Sequence, residues 1–171
     1  MYPTKDEVLE GTVTHKPEVI RAIKNWKGTA WKAARDLNDE NVKMAVIMGL
    51  IEGLAVCYQR PVTVVRGPRD CYSPLQKTIF LSKPSIITAL HELAHHLFGP
   101  SELKACRWSV HLFKKTFPKA ESKLGWDGHM RVRKHRPSYP GGPALNIMGE
   151  REKSGTTNMK KVERRAEVRK W

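Results

Sequence analysis

Residues 85–102 read SIITALHELAHHLFGPSE, and this stretch decides the fold. Apolar residues recur in it at helical spacing between a serine and a Gly-Pro pair, so it predicts a helix from Ser85 to Phe98 that stops at the pair. Ser101 is then placed to cap a second helix, which runs to about Phe117 and ends at a proline. Because the connection is so short, we expect the two helices to run antiparallel.

The first of these helices carries an H-E-x-x-H sequence at residues 91–95. Two histidines four positions apart lie on one helix face, so His91 and His95 can reach a single Zn²⁺. The intervening Glu92 is placed to take a proton from metal-bound water. At about 100° per residue, the two histidines border the apolar face, where a cleft would meet the core, while His96 points away and is predicted to be solvated.

A third protein ligand would have to come from the second helix. Glu102 lies in the apolar stripe of that helix, where a carboxylate must be paired, protonated or bound to metal. Cys106 lies on the same face and is a weaker candidate ligand, whereas His111 falls on the opposite face. His91, His95 and Glu102 with a water would complete the open four-coordinate site that is typical of catalytic zinc.

Two further helical regions precede this segment. Apolar spacing indicates helix over 19–37, with an interruption at Gly28. Asn38-Asp39 then offers the cap of a stronger helix that is rich in Met, Ile, Leu and Ala and runs to about Tyr58. We expect this second helix to be largely buried.

The strand signals are short. β-branched residues dominate 62–65, a turn follows at 67–70, and 78–81 predicts a second strand. Because the predicted helices greatly outnumber the predicted strands, we expect an α+β fold in which a small β-sheet packs on helices. The H-E-x-x-H helix is followed by an antiparallel helix.

Two strands, an H-E-L-A-H-H-L helix and the sequence E-L-K-A-C-R-W-S at residues 102–109 resemble the ImmA/IrrE-type metallopeptidases, which are compact zincins of the gluzincin kind. The pattern of that family is an H-E-x-x-H helix followed by E-x-x-A-N-x-F-A on the next helix. In this chain Cys106 stands at the Asn, Trp108 at the aromatic residue and Ser109 at the second Ala. The connection between the two helices is short, and the position of Glu102 over a metal depends on it.

The resemblance covers about residues 38–118 and implies a zincin-like metallopeptidase domain over 1–118. By resemblance His91 and His95 are zinc ligands, Glu102 is the third ligand and Glu92 is the general base. The implied activity is a zinc-dependent endopeptidase that acts on a protein or peptide, for instance a regulatory protein associated with DNA.

SprT-like zinc proteases, which also carry H-E-x-x-H and act near DNA, are the nearest rival family. They take a third histidine, for which His111 or His129 would have to serve. Tyr72, Arg107, His111 and His129 are each candidates for polarising a substrate carbonyl, and no spacing selects one of them.

The charge of the chain is uneven. Lys and Arg number 31 against 17 Asp and Glu, and residues 112–171 hold 16 of the basic and 6 of the acidic side chains. Residues 119–171 are rich in Gly and Pro and are predicted to be a basic extension with short regular elements. Two interpretations of this extension stay open. It either binds nucleic acid in a salt-sensitive and sequence-tolerant way, or it is a solvated charged segment with no ligand. The candidate contacts are Arg131, Arg133, Lys134 and Arg136, near Trp126 and Tyr139.

This basic extension also keeps a second function open, a nucleic-acid-binding or assembly protein on a vestigial zincin scaffold. Cys57, Cys71 and Cys106 form no C-x-x-C pair, which favours a reducing compartment. The first residues show no apolar signal core, and the longest apolar stretch, 44–58, contains Glu52 and is too short to span a bilayer. We therefore expect a cytoplasmic protein with no membrane partner.

Overall fold

The computed structural model describes residues 2–128 and 130–133, with the backbone alone at 130, 132 and 133. It divides the chain into a compact unit over 1–131 and a second unit over 132–171. The helices of the described residues are α1 Lys5–Leu9, α2 Pro17–Gly28, α3 Ala30–Leu37, α4 Glu40–Cys57, α5 Ile86–Phe98, α6 Glu102–Thr116 and α7 Pro118–Glu121. The strands are β1 Thr63–Arg66, β2 Cys71–Ser73, β3 Thr78–Leu81, β4 Leu124–Asp127 and β5 Met130–Arg133. The predicted α+β fold is confirmed.

Helix α4 is the centre of the core. Its N-terminus is capped by Asp39, whose carboxylate accepts from the backbone N–H groups of Asn41 and Val42 at 2.7 and 3.3 Å. Buried apolar side chains lie along one face of α4, among them Ile47 and Ile51, whereas Ala45, Glu52 and Val56 are exposed. The prediction that α4 is largely buried is correct for this face only, because the opposite face is exposed although many of its residues are apolar.

A three-stranded sheet packs beside α4 in the order β1-β3-β2. β1 and β3 run parallel, with Val64 opposite Ile79, and β2 pairs antiparallel with β3, with Tyr72 opposite Ile79. Ile79 and Leu81 of β3 are fully buried, so one face of the central strand points into the core. The sequence predicted β1 and β3 but not β2, because three half-buried residues show no alternation of apolar and polar side chains.

The predicted boundaries of α5 and α6 are confirmed. The hydroxyl of Ser85 accepts from the backbone N–H of Thr88, and Ser101 caps α6 in the same way. Gly99 ends α5 with a φ of +87°, a conformation that favours glycine. His95, near the end of α5, contacts Glu102, the first residue of α6. His91, one turn earlier in α5, contacts Cys106, one turn later in α6. This reversed order shows that the two helices are antiparallel.

The compact unit is longer than the predicted 1–118, since α7, β4 and the start of β5 belong to it. Trp126 of β4 packs on a small cluster that Val8 of α1 forms with Cys106 and Val110 of α6. The N-terminal helix α1 was also missed. A capping box between Thr4 and Glu7 was the sequence signal that could have found it.

Among the described residues, no helix is long and apolar enough to cross a membrane. The three cysteines are free thiols.

Candidate metal centre

Three side chains from α5 and α6 converge on one point. The Nε2 atoms of His91 and His95 lie 3.1 Å apart. Glu102 places Oε1 at 3.2 Å from Nε2 of His91 and Oε2 at 3.3 Å from Nε2 of His95. These are the three residues that the sequence predicted as metal ligands, and the short turn between the helices brings Glu102 to the histidines.

The spacing of these atoms fits a tetrahedral metal ion. Ligand atoms at about 2.0–2.1 Å from zinc in a tetrahedron lie roughly 3.3–3.4 Å from one another. The two histidine nitrogens are 3.1 Å apart, and each lies 3.2 or 3.3 Å from the nearer carboxylate oxygen of Glu102, which is a different oxygen for the two histidines. Two imidazole nitrogens and a carboxylate oxygen are a donor set that zinc accepts. Among the described residues, His91, His95 and Glu102 are the group of His, Cys, Asp and Glu side chains that could hold a metal ion.

The outer nitrogens of both histidines are also engaged. Nδ1 of His95 donates to the carbonyl oxygen of Gly99 at 3.1 Å, which leaves its Nε2 lone pair directed at the cluster. Nδ1 of His91 lies 3.8 Å from Sγ of Cys106, and that thiol donates to Oε1 of Glu102 at 3.5 Å. With protons on Nδ1, the inner atoms are all electron-rich, so the arrangement suits a cation.

Cys106 contacts two of the candidate ligands, His91 and Glu102. It faces the outer nitrogen of His91, on the far side of the ring from the metal position. Burial raises the pKa of the Cys106 thiol to about 12, and the charge of Glu102 and the hydrogen bond to it add to the rise, so the thiol stays protonated at neutral pH. The distances within the described residues favour Glu102 over Cys106 as the third candidate ligand, because Cys106 faces the outer nitrogen of His91.

The histidine alternatives do not reach the cluster within the described residues. His111 donates from Nε2 to the carbonyl oxygen of Val8 at 3.2 Å and so faces α1. Arg107 also faces α1, where Nε donates to the carbonyl oxygen of Glu7 at 2.7 Å. His129 lies outside the described residues. The third histidine of the SprT-like alternative is not found in the part of the chain that the structure describes.

Glu92 lies beside the cluster on α5 and is 8 % exposed. Burial raises the pKa of its carboxyl above the usual value, and the charges of Asp70 and Glu102 add to the rise. The nearby His95 and a hydrogen bond from the backbone of Tyr72 oppose it. A buried carboxyl with a raised pKa next to a metal site is the property expected of a general base.

An open cleft of about 930 Å³ exposes the cluster to solvent. Its walls come from α5, the α5–α6 turn and the edge strand β2, and Tyr2 from the N-terminus also contributes. Tyr72 of β2 is in this cleft, which sets it apart from Arg107 and His111 as a candidate for polarising a carbonyl.

His96 is not the solvated residue that the helical wheel predicted. Its Nε2 donates to the carbonyl oxygen of Arg60 at 2.9 Å. Because that nitrogen carries the proton, Nδ1 accepts from the Tyr72 hydroxyl at 3.0 Å. Arg60 in turn donates to the carbonyl oxygen of Leu97 at 2.6 Å. No pattern within α5 reveals these bonds, since both partners of His96 come from other parts of the chain.

Most of the basic residues that the sequence predicts to contact nucleic acid have side chains that the structure does not describe. These are Arg133, Lys134 and Arg136. Arg131 is described, and its side chain is 6 % exposed. It forms an ion pair with Glu121 and stacks on Trp126, with its guanidinium carbon 4.7 Å from the ring centroid. Arg131 thus forms contacts within the compact unit. The prediction that it contacts phosphates is wrong, because a buried and paired guanidinium is not accessible to the phosphates of a nucleic acid.

Comparison with protein-family models, with curated proteins and with solved structures found no match to this chain.

Proposed function

We propose that this protein is a zinc-dependent endopeptidase. The observation that carries the proposal is the convergence of His91, His95 and Glu102 at separations of 3.1–3.3 Å, beside the buried Glu92 and open to a cleft. His91, His95 and Glu102 would hold the zinc. When bound, zinc supplies Lewis acidity, which activates water and polarises a carbonyl group.

The residues around the site have separable tasks in this proposal. Glu92 accepts a proton from the attacking water and passes it to the leaving amine, for which its raised pKa suits it. The contacts of His95 with Gly99 and of His91 with Cys106 hold both imidazoles in one tautomer. Tyr72, whose hydroxyl proton is donated to His96, offers oxygen lone pairs at the cleft wall to an N–H group of a substrate.

The shape of the site favours a peptide over a small molecule as substrate. β2 is the edge strand of the sheet, and Cys71 and Tyr72 of this strand line the cleft. An edge strand can align an extended peptide by main-chain hydrogen bonds, for which the backbone N–H of Tyr72 is not free because Glu92 accepts from it.

Metal analysis together with a cleavage assay tests the proposal. Protein produced with zinc available should hold about one zinc per chain, and His91→Ala should lose it. Glu92→Gln should keep the metal and lose cleavage by a factor of roughly 10²–10⁴. Glu52→Gln, a change of the same kind at an exposed glutamate of α4, is the matched control. Wild-type protein that binds no zinc, or a Glu92→Gln variant that cleaves as fast as wild type, contradicts the proposal.

A second candidate function is supported by charge. Residues 134–171 contain 10 Lys and Arg against 4 Asp and Glu. A surplus of this kind supports nucleic-acid binding by a protein whose zincin-like site is structural or vestigial. In that case zinc binds, Glu92→Gln changes nothing, and no peptide is cleaved.

A further inference from the structure

The cleft has a permanent positive charge on its wall. Of the described residues that line it, only Arg60 is a cation at every physiological pH. Arg60 is an exposed residue, and because its backbone N–H and C=O are both hydrogen-bonded, the exposed area belongs mainly to its side chain. Within the part of the chain that the structure describes, its guanidinium forms no ion pair.

The end of α4 fixes the backbone of Arg60. Gln59 ends the helix in a left-handed conformation with a φ of +55°. The N–H groups of Gln59 and Arg60 donate to the carbonyl oxygens of Val56 and Ala55 at 2.8 and 3.0 Å, which is the Schellman pattern. The carbonyl oxygen of Arg60 accepts from Nε2 of His96 at 2.9 Å. The residue is therefore held between the end of α4 and the last turn of α5.

The side chain of Arg60 is anchored at the C-terminal end of α5. Its Nη1 donates to the carbonyl oxygen of Leu97 at 2.6 Å, one of the last carbonyls of the helix, which have no partner within it. A guanidinium has five N–H donors in a planar fork, and this bond uses one of them. Nε and Nη2 form the other side of the fork and stay available to a ligand.

Arg60 lies close enough to the candidate metal centre to act on the same peptide. Leu97 follows His95 by two residues, about 3 Å along the axis of α5. With the reach of the His95 imidazole and the hydrogen bond to Leu97 added, the guanidinium lies no more than about 16 Å from an ion that His95 holds. An extended peptide covers that distance in about five residues. A group on a peptide bound at the metal can therefore reach Arg60.

His96 links Arg60 to a second polar group of the cleft wall. Its ring accepts from the hydroxyl of Tyr72 at 3.0 Å on one side and donates to the carbonyl oxygen of Arg60 at 2.9 Å on the other. Tyr72 and Arg60 thus lie on two sides of one imidazole, and both line the cleft. The Tyr72 oxygen can accept from a peptide N–H while the guanidinium pairs with an anion.

The acids of the cleft do not neutralise Arg60, because they are engaged elsewhere. Asp70 accepts from the N–H and the hydroxyl of Ser82 at 2.6 and 3.0 Å. Glu92 accepts from a backbone N–H of β2, and Glu102 contacts both histidines of the cluster. A carboxylate of the substrate is the group that matches both the charge and the planar fork that remain.

We propose that Arg60 is a specificity-determining residue and that its guanidinium binds a carboxylate of the substrate. This inference rests on the proposed peptidase function. The carboxylate comes either from an aspartate or glutamate side chain near the scissile bond or from the C-terminus of the peptide. Both sources offer the same planar group, which accepts two parallel N–H···O bonds from Nε and Nη2.

The test uses the full-length Glu92→Gln variant loaded with zinc, which should bind peptides without cleaving them. The reference probe is a fluorescent neutral octapeptide with both ends blocked. One set of probes carries a single glutamate at each successive position, and a further probe has a free C-terminal carboxylate. By fluorescence anisotropy, at least one charged probe should bind roughly three- to tenfold more tightly than the reference. This gain should shrink when the salt concentration rises from about 50 to about 500 mM.

Three changes at arginine positions, made in the same variant, sharpen the test. Arg60→Gln can keep a hydrogen bond to Leu97 and should lose the gain while it binds the reference probe as before. Arg60→Lys keeps the charge without the fork and should retain part of the gain. Arg66→Gln is the matched control, since Arg66 is an exposed arginine of β1 that donates from Nη1 to Asn41 at 2.8 Å, away from the residues of the cleft. It should keep the whole gain.

The outcomes separate the two sources and the two proposals. A gain confined to internal glutamates identifies the side chain, and a gain confined to the free terminus identifies the C-terminal carboxylate. A gain that persists in Arg60→Gln, or no gain with any carboxylate, overturns the role of Arg60 and leaves the peptidase proposal standing. If the protein holds no zinc, or if the zinc-loaded protein binds no peptide, the peptidase proposal fails and the role of Arg60 fails with it.

Discussion

The carbonyl oxygen of Gly99 lies 3.1 Å from Nδ1 of His95. This contact joins the end of α5 to a candidate metal ligand, His95, which lies four residues earlier on the same helix. Because Gly99 adopts a φ of +87°, its carbonyl is directed by a conformation that other residues avoid. One glycine therefore ends the helix, starts the turn to Glu102 and fixes the tautomer of a ligand.

Gly99→Ala should weaken both the fold and the site. The space around a new Cβ is open, so the penalty comes from the positive φ and not from a clash. We expect a loss of about 1–3 kcal/mol in the free energy of unfolding, measured by urea denaturation, and a lower zinc affinity. The matched control is Gly53→Ala, at an exposed position within α4 where a Cβ also meets nothing, which should be neutral or slightly stabilising. Equal effects of the two changes would contradict this role of Gly99.

Cys106→Ala should lower zinc affinity by roughly 10–100-fold, measured by competition with a chelator. The change removes the partner of His91 Nδ1 and the donor to Glu102, while the three ligands remain. Cys106→Ser can keep both hydrogen bonds and should lose less. Cys57→Ala, at a half-buried thiol remote in sequence on α4, is the control and should bind zinc as wild type does. A larger loss in Cys106→Ser than in Cys106→Ala would argue against a hydrogen-bonding role.

Stability should fall in mild acid because of His15. Its Nε2 donates to the carbonyl oxygen of Trp108, and burial lowers the pKa of the ring below the usual value. Nearby Lys115 and His111 lower the pKa further. The unfolded chain then binds more protons than the folded one, so this contribution is complete above a pH of about 6.5 and is lost as the pH falls from there towards the folded pKa.

The measurement for His15 is the free energy of unfolding of metal-free protein between about pH 7.5 and 5, in wild type and His15→Gln. Glutamine can still donate to Trp108 but does not titrate in this range. As the pH falls below about 6.5, the free energy of unfolding of wild type should decrease relative to that of His15→Gln by up to about 1.4 kcal/mol per pH unit. Parallel pH profiles of the two proteins would show that His15 does not contribute.

Ending the chain after residue 133 should leave the fold and zinc stoichiometry intact, because the compact unit closes at Arg131. If the extension binds nucleic acid, truncation should lower the affinity for a single-stranded oligonucleotide and flatten its salt dependence, measured by fluorescence anisotropy at about 50 and 200 mM salt. Full-length protein with Arg133, Lys134 and Arg136 changed to Gln is the control for chain length. Unchanged affinity after truncation would place any such binding on the compact unit.

Local spacing was enough to predict that the side chains of the candidate ligands converge. His91, His95 and Glu102 are set by helical periodicity and by one short turn, which a sequence displays directly. The role of Cys106 was not predictable, since a thiol on the correct helix face can be a ligand, a partner of ligands or a core residue until the distances are known.

The contacts of His96 depend on chain segments that are far from it in the sequence. Those of Arg131 depend on α7 and β4, whose sequences show no strong pattern of apolar residues. His96 is bonded by Arg60 and Tyr72, which lie 36 and 24 positions away. Arg131 reads in the sequence as one more cation of a basic segment, and only its burial against Glu121 and Trp126 distinguishes it. A cluster of charges in the sequence predicts the net charge of a region, but it does not predict which individual side chains are buried.

The attachment of α1 to α6 has a practical consequence for producing the protein. Arg107 and His111 hold the N-terminal helix on α6, and Tyr2 ahead of it lines the cleft. A purification tag fused before Tyr2 would be tethered at the cleft mouth, at a high effective concentration for the site. A polyhistidine tag there supplies the very side chains that bind zinc, and would compete both with peptides for the cleft and with Glu102 for the ion.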